Sequence, residues 1–210
     1  TLIHHTNLFK AYIAIEPSMW WDNQKILKEA KEVLAKNNYS GISLFLGIAN
    51  TMGEGMDTIK VKNDITNSTE HIRSIFELRD CLNNNKQNQL IYSSRYYNND
   101  DHGSVPLITE YDAIRFIFDY YPWKLSNNDI INVNQALITK IENHFENVSK
   151  QMGYKVNTPE GLVNSLGYVA LSSKDYEDAI YLFKLNVSNY PDSWNVYDSL
   201  GDYYSAKDDK

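Results

Sequence analysis

The sequence predicts an α/β domain followed by an all-α segment, and three observations carry that expectation. Strand-like and helix-like blocks alternate up to residue 122, strand signals stop after Pro122, and a helical pattern with a 34-residue spacing follows from residue 160. Alternation of this kind implies a mostly parallel sheet, because parallel neighbours must be joined by crossover helices that cover its faces.

The first strand is expected at 11–17, AYIAIEP, a short β-branched and aromatic run closed by proline, the form of a buried strand. In the next block, DNQKILKEAKEVLAKN, Ile26, Leu27, Ala30, Val33 and Leu34 fall on one helical face, with Asp22 available as N-cap. GISLFLGIAN (41–50) is a second continuous apolar strand, and TEHIRSIFELRDCL (69–82) a second amphipathic helix. NQLIYSSRYY (88–97) alternates as a third strand, and EYDAIRFIFDYY (110–121) is a third helix stopped by Pro122.

Residues 129–152 then predict one long amphipathic helix. Beyond it, Leu166-Gly167 recurs as Leu200-Gly201, the spacing of the tetratricopeptide repeat, a helix hairpin that stacks on its neighbours. With Glu160 as the first position, Ala179, Phe183 and Pro191 fall where that pattern needs a small residue, a gap-filling aromatic and a helix stop. Ala170 and Asn186 depart from it, and a second copy starting at Trp194 ends at Lys210 without its second helix. The expected organisation is an α/β portion over 1–122, a helical linker over 123–158 and repeat-like helices over 159–210.

Composition excludes several function classes. A chain of 210 residues with 42% hydrophobic and 13% aromatic content can build a sizeable core. Its 27 acidic against 20 basic side chains give a net charge of −7, which repels phosphate backbones and argues against a nucleic-acid partner. The single cysteine, Cys81, has no intrachain disulfide partner. No run approaches the roughly 18–20 apolar residues of a membrane span, and the compartment stays open. The Asn-x-Ser/Thr sequons at Asn38, Asn67, Asn147 and Asn186 are expected as by-products of an asparagine-rich chain.

One stretch invites chemistry. RYYNNDDHGSVP (95–106) sets His102 just after the third strand and just before a helix, which is where an α/β-hydrolase carries its catalytic histidine. LFKAYIAIEPSMWWDNQ (8–24) and DDHGSVPLITEYDAIRFIF (100–118) strongly resemble the esterase family of α/β-hydrolases, which includes siderophore esterases and S-formylglutathione hydrolase-like enzymes. More narrowly, the chain resembles bacterial members that carry a tetratricopeptide tail, over essentially the whole chain. It implies that 1–122 is the C-terminal half of an α/β-hydrolase sheet. In that family a Gly-x-Ser-x-Gly nucleophile elbow lies just upstream of the strand matching AYIAIEP. No such motif occurs here, so the resemblance implies a C-terminal part whose serine and oxyanion donors lie outside it.

The resemblance casts His102 as general base and then general acid in ester cleavage. The acid belongs in the loop after the second strand, where many relatives carry a carboxylate three residues past the glycine matching Gly47. Asn50 stands there instead, leaving Asp57, then Glu54, or no acid in that loop. Trp20 and Trp21 are expected to line a substrate pocket or to pack as cover. His4, His5, His71 and His144 are expected as surface or packing residues, and no cofactor or metal is implied. The expected partners are a small ester and, through the repeat-like tail, a protein or a second copy. A degenerate hydrolase body serving as an interaction module is the competing expectation.

Overall fold

The computed structural model describes residues 1–208 and divides the chain into two compact units, Thr1–Asp119 and Tyr120–Lys210. The first holds a three-stranded parallel sheet in the order β1 (Ala11–Ile15), β2 (Ser43–Ala49), β3 (Ile91–Tyr97). Ala11 pairs with Ser43 and Ser43 with Ile91, so the strands run in step, and their C-terminal ends share one edge. Helices α1 (Trp21–Lys36), α2 (Lys60–Asn63) and α3 (Glu70–Asn84) supply the connections, and α4 (Val105–Ile117) follows β3.

The central strand β2 explains the layering. Leu44, Leu46 and Ile48 pack into one core with Leu27, Ala30 and Leu34 of α1 and Ile72, Ile75 and Phe76 of α3. The alternate positions meet α4: Phe45 lies 5.7 Å from Phe116 between ring centroids, and Ala49 packs with Tyr97 and Val105. A strand buried on both faces is what its unbroken apolar run requires. By contrast β1, expected as a buried strand, is only half-buried, because among the described residues it is an edge strand that pairs with β2 alone.

Three local expectations are corrected. Asp22 is no N-cap: it adopts left-handed backbone angles (φ 53°, ψ 51°), as do Asn23 and Gln24, whereas capping needs an extended residue. The helix expected at 110–121 spans Val105–Ile117 instead, because Pro106 fits the first helical turn and Phe118 closes the helix ahead of Pro122. The single helix expected at 129–152 is two, α5 (Asn127–Ile131) and α6 (Gln135–Met152). The chain leaves helical geometry at Asn132, and Asn134 restarts it by accepting from Leu137 N–H at 3.0 Å.

In the second unit α6 packs Leu137, Ile138, Ile141 and Phe145 against Val163 and Leu166 of α7 (Glu160–Ser172) and Leu182 of α8 (Tyr176–Asn189). Ala170, Ala179 and Phe183 join Tyr203 of α9 (Trp194–Asp208) in a second cluster. A Cβ built on Gly167 would fall 2.7 Å from the Phe183 ring, so only glycine lets α7 and α8 close to this distance. Asn186 is fully buried and donates from Nδ2 to the Glu160 carbonyl at 3.1 Å, bonding α8 back to the start of α7.

Candidate active site

Active sites of parallel α/β sheets lie beyond the C-terminal ends of the strands, where loops diverge and backbone N–H groups are unpaired. Here three side chains from three elements meet at that edge. Glu16 directly follows β1, His71 sits in the first turns of α3, and His102 occupies the loop between β3 and α4.

Glu16 is the anchor. It is 5% exposed, its N–H continues the strand ladder by donating to Gly47 O at 3.1 Å, and its backbone is left-handed (φ 44°). A left-handed non-glycine residue costs roughly 1–2 kcal/mol, and here the turn aims the carboxylate inward across the end of the sheet. Oε1 accepts from Ala49 N–H at the end of β2. Oε2 lies 2.9 Å from His71 Nε2 and 3.7 Å from His102 Nδ1. The two imidazoles stand edge to face with centroids 6.1 Å apart. A buried carboxylate with one oxygen on a backbone amide and the other facing two ring nitrogens is compensated on every side.

His102 itself is exposed, its side chain 73% accessible, so the ring edge remote from Glu16 is available to solvent or substrate. Its loop is stiffened from below. Asp101 Oδ1 accepts from Gly103 N–H at 2.8 Å and Ser104 N–H at 3.0 Å, and these bonds hold its carboxyl below the usual carboxylate range. Ser104 Oγ donates to Asp100 Oδ1 at 3.0 Å. Asp100 and Asp101 therefore secure the turn, and the carboxylate beside the imidazole is Glu16.

Asn50 ties two strand ends together. Its N–H donates to Asp100 O at 2.8 Å, and its Nδ2 donates to Asn98 O at 3.0 Å. Asp57 caps the short helix α2: Oδ1 accepts from Ile59 and Lys60 N–H, both at 2.8 Å, and the Lys60 ammonium stands 3.7 Å from Oδ2. These amide bonds, led by Lys60, draw its carboxyl below the ordinary range. Nothing of Asp57 or Glu54 joins the Glu16, His71 and His102 group.

A cleft of about 530 Å³ opens beside this group, with Ser18, Trp20, Thr51 and Glu70 around His71 and His102. Trp20 lines this cleft and, together with Trp21, Asp22, Asn23 and Glu70, a neighbouring one; Trp21 is 67% exposed and meets Trp20 edge-on at 5.6 Å.

His71 and Glu16 are the members of this group that sequence reasoning did not place together; His71, expected as a surface or packing residue, lies part-buried against Glu16. His71 offers no signal, since a histidine on an amphipathic helix is ordinary. Glu16 carries one: a carboxylate that ends an apolar strand stands where α/β sites are built. The three residues also each offer one ligand atom within 4.8 Å of the others, a set able to hold a divalent ion that no local spacing announces. His4 bonds Glu29 at the surface, and His144, in the second unit, packs against Trp123 at 4.9 Å.

No protein-family model matches the sequence, and no curated protein does. Solved structures do. An IroE-like serine hydrolase from Shewanella oneidensis superposes with a TM-score of 0.60 at 22% identity, over 88% of this chain and 54% of that one. An uncharacterised protein from Capnocytophaga ochracea gives 0.59 at 15% identity, over 94% and 51%. The siderophore hydrolase EstB from Aspergillus nidulans, at 0.38 and 22% over 60% and 46%, overlaps too loosely to carry weight. The chain thus spans about half the length of the solved structures it matches, and across that span it shares its mixed α/β fold with a serine hydrolase.

Proposed function

We propose that these residues are the C-terminal part of a serine ester hydrolase, with the nucleophile elbow outside the 210 residues. The observation that carries this reading is the exposed His102, set past the end of β3 at the mouth of a cleft, in a fold shared over 88% of the chain with a serine hydrolase. A serine hydroxyl would attack the ester carbonyl while His102 accepts its proton. Collapse of the tetrahedral intermediate would expel the alkoxide, which takes that proton from His102, and water would repeat the cycle on the acyl-enzyme. Trp20 would supply an apolar wall for the acyl or alcohol group, with Trp21 flanking it.

We further infer that α7, α8 and α9 form one and a half tetratricopeptide repeats that present a face to a protein partner. The support is the 34-residue spacing, seen again in the bond from Tyr168 Oη to Asp202 at 2.7 Å, and the Gly167–Phe183 contact. The second reading, an interaction module on a degenerate hydrolase body, is favoured by the absence of Gly-x-Ser-x-Gly from the sequence. Full-length protein and its His102→Ala variant, assayed with p-nitrophenyl acetate and butyrate, separate the two. Turnover lost with His102 supports the hydrolase; equal turnover removes His102 from the chemistry, and no turnover by the parent favours the module.

A further inference from the structure

A general base of this kind needs a carboxylate on Nδ1, both to fix the tautomer that leaves Nε2 free for the serine and to stabilise the imidazolium that forms. The loop after β2 provides none within the site: Asn50 is neutral and bonded to the 98–100 backbone, and Asp57 is committed to the start of α2. We propose that Glu16, at the end of β1, is the positioning carboxylate of His102, and that His71 holds Glu16 in place for that task. This rests on the hydrolase reading of the site.

Four features support the assignment. The ring atom of His102 turned toward Glu16 is Nδ1, the one an orienting acid must engage, at 3.7 Å. That separation is loose for a hydrogen bond, as catalytic contacts often are before substrate binds. Glu16 is shielded from water, its side chain 3% accessible, so its charge acts on the imidazole with little screening. Its orientation is overdetermined: Oε1 is fixed by Ala49 N–H, and Oε2 by His71 Nε2 at 2.9 Å. Finally, its left-handed backbone has no other evident purpose than to direct the side chain across the strand ends, the kind of local strain found at working sites. His71 differs from His102 in burial, 23% against 73% accessible, which suits it to support rather than to proton exchange with substrate. In the reaction the pair exchanges no atoms: Glu16 orients the ring while His102 accepts and returns the serine proton.

The test uses full-length protein and two readouts. Glu16→Gln keeps an acceptor for Ala49 N–H and the side-chain volume, and removes only the charge. It is expected to lower kcat on p-nitrophenyl butyrate by on the order of 10³–10⁴ with KM little changed, and Glu16→Asp to recover part of it. Nitrogen NMR of the imidazoles is expected to show His102 as the Nδ1–H tautomer in the parent and a mixture in Glu16→Ala. A Glu16→Gln variant that keeps wild-type kcat while His102→Ala is dead overturns the proposal and leaves the hydrolase reading standing, as does a larger kcat loss in Asp57→Asn than in Glu16→Gln. A parent without turnover removes the hydrolase reading, and the tautomer measurement then still decides the pairing: an unchanged tautomer in Glu16→Ala overturns it.

Discussion

Gly47 and Thr109 touch where β2 passes beneath α4: a Cβ on Gly47 would lie 2.2 Å from the threonine Oγ1. Thr109 is fully buried, and its neighbours belong to the helix whose N-terminal loop carries His102. Gly47→Ala must therefore push α4 away from the sheet. The expected cost is about 3 kcal/mol, at the upper end of overpacking in cores. Urea unfolding checks the stability, and chemical-shift changes at His102 check that the displacement reaches the loop.

If the full-length protein hydrolyses esters as proposed, zinc is expected to inhibit that reaction, with EDTA restoring it. Glu16, His71 and His102 offer three ligand atoms within 4.8 Å, and zinc accepts this mixture of imidazole and carboxylate, drawing the base out of proton transfer. Removing His71 deletes one ligand, so His71→Ala should raise the zinc concentration needed for half-inhibition. Inhibition unaltered in that variant would place the zinc elsewhere.

The loop holding His102 should be robust to mild acid and fail in stronger acid. Asp101 has its folded carboxyl pKa lowered, first by Ser104 N–H and then by Gly103 N–H. A depressed carboxylate contributes stability above its unfolded value, near ~3.9, and that contribution is lost as pH falls through the lower folded value. Amide exchange at Gly103 and Ser104 should accordingly stay protected at pH 5 and rise only below the ordinary carboxylate range. Asp101→Ala should abolish that protection at every pH.

In the helical unit, Gly167→Ala is expected to destabilise by about 1–3 kcal/mol, because the new methyl meets Phe183 at 2.7 Å. The cost should shrink in a Phe183→Ala background, where the obstruction is gone, and a double-mutant cycle measures that coupling. Equal costs in both backgrounds would mean that the close approach of α7 and α8 does not depend on this pair.

The elements that sequence made legible were those with strong periodicity. The unbroken run of β2 announced burial on both faces, and the alternating pattern of α3 announced its core side. Capping at Asp22 failed because the side chain's preference for a helix start was overridden by a left-handed backbone that only the fold imposes. The split of the long helix turned on Asn134, one of many asparagines, whose capping bond depends on local geometry. The position of His102, between the third strand and a helix, was legible because its loop has a sequence context. Glu16 and His71 stand 55 residues apart and meet only through strand pairing and the docking of α3, a convergence no window of sequence contains.

Glu16 divides its carboxylate between two duties, one oxygen closing the end of the β1–β2 pair through Ala49 N–H and the other facing the imidazoles. The site and the end of the sheet are thus one cooperative latch. Neither imidazole can lose its carboxylate through movement of Glu16 without exposing a strand amide, which makes the exchange rate of that single proton on Ala49 a gauge of how often the site falls out of register.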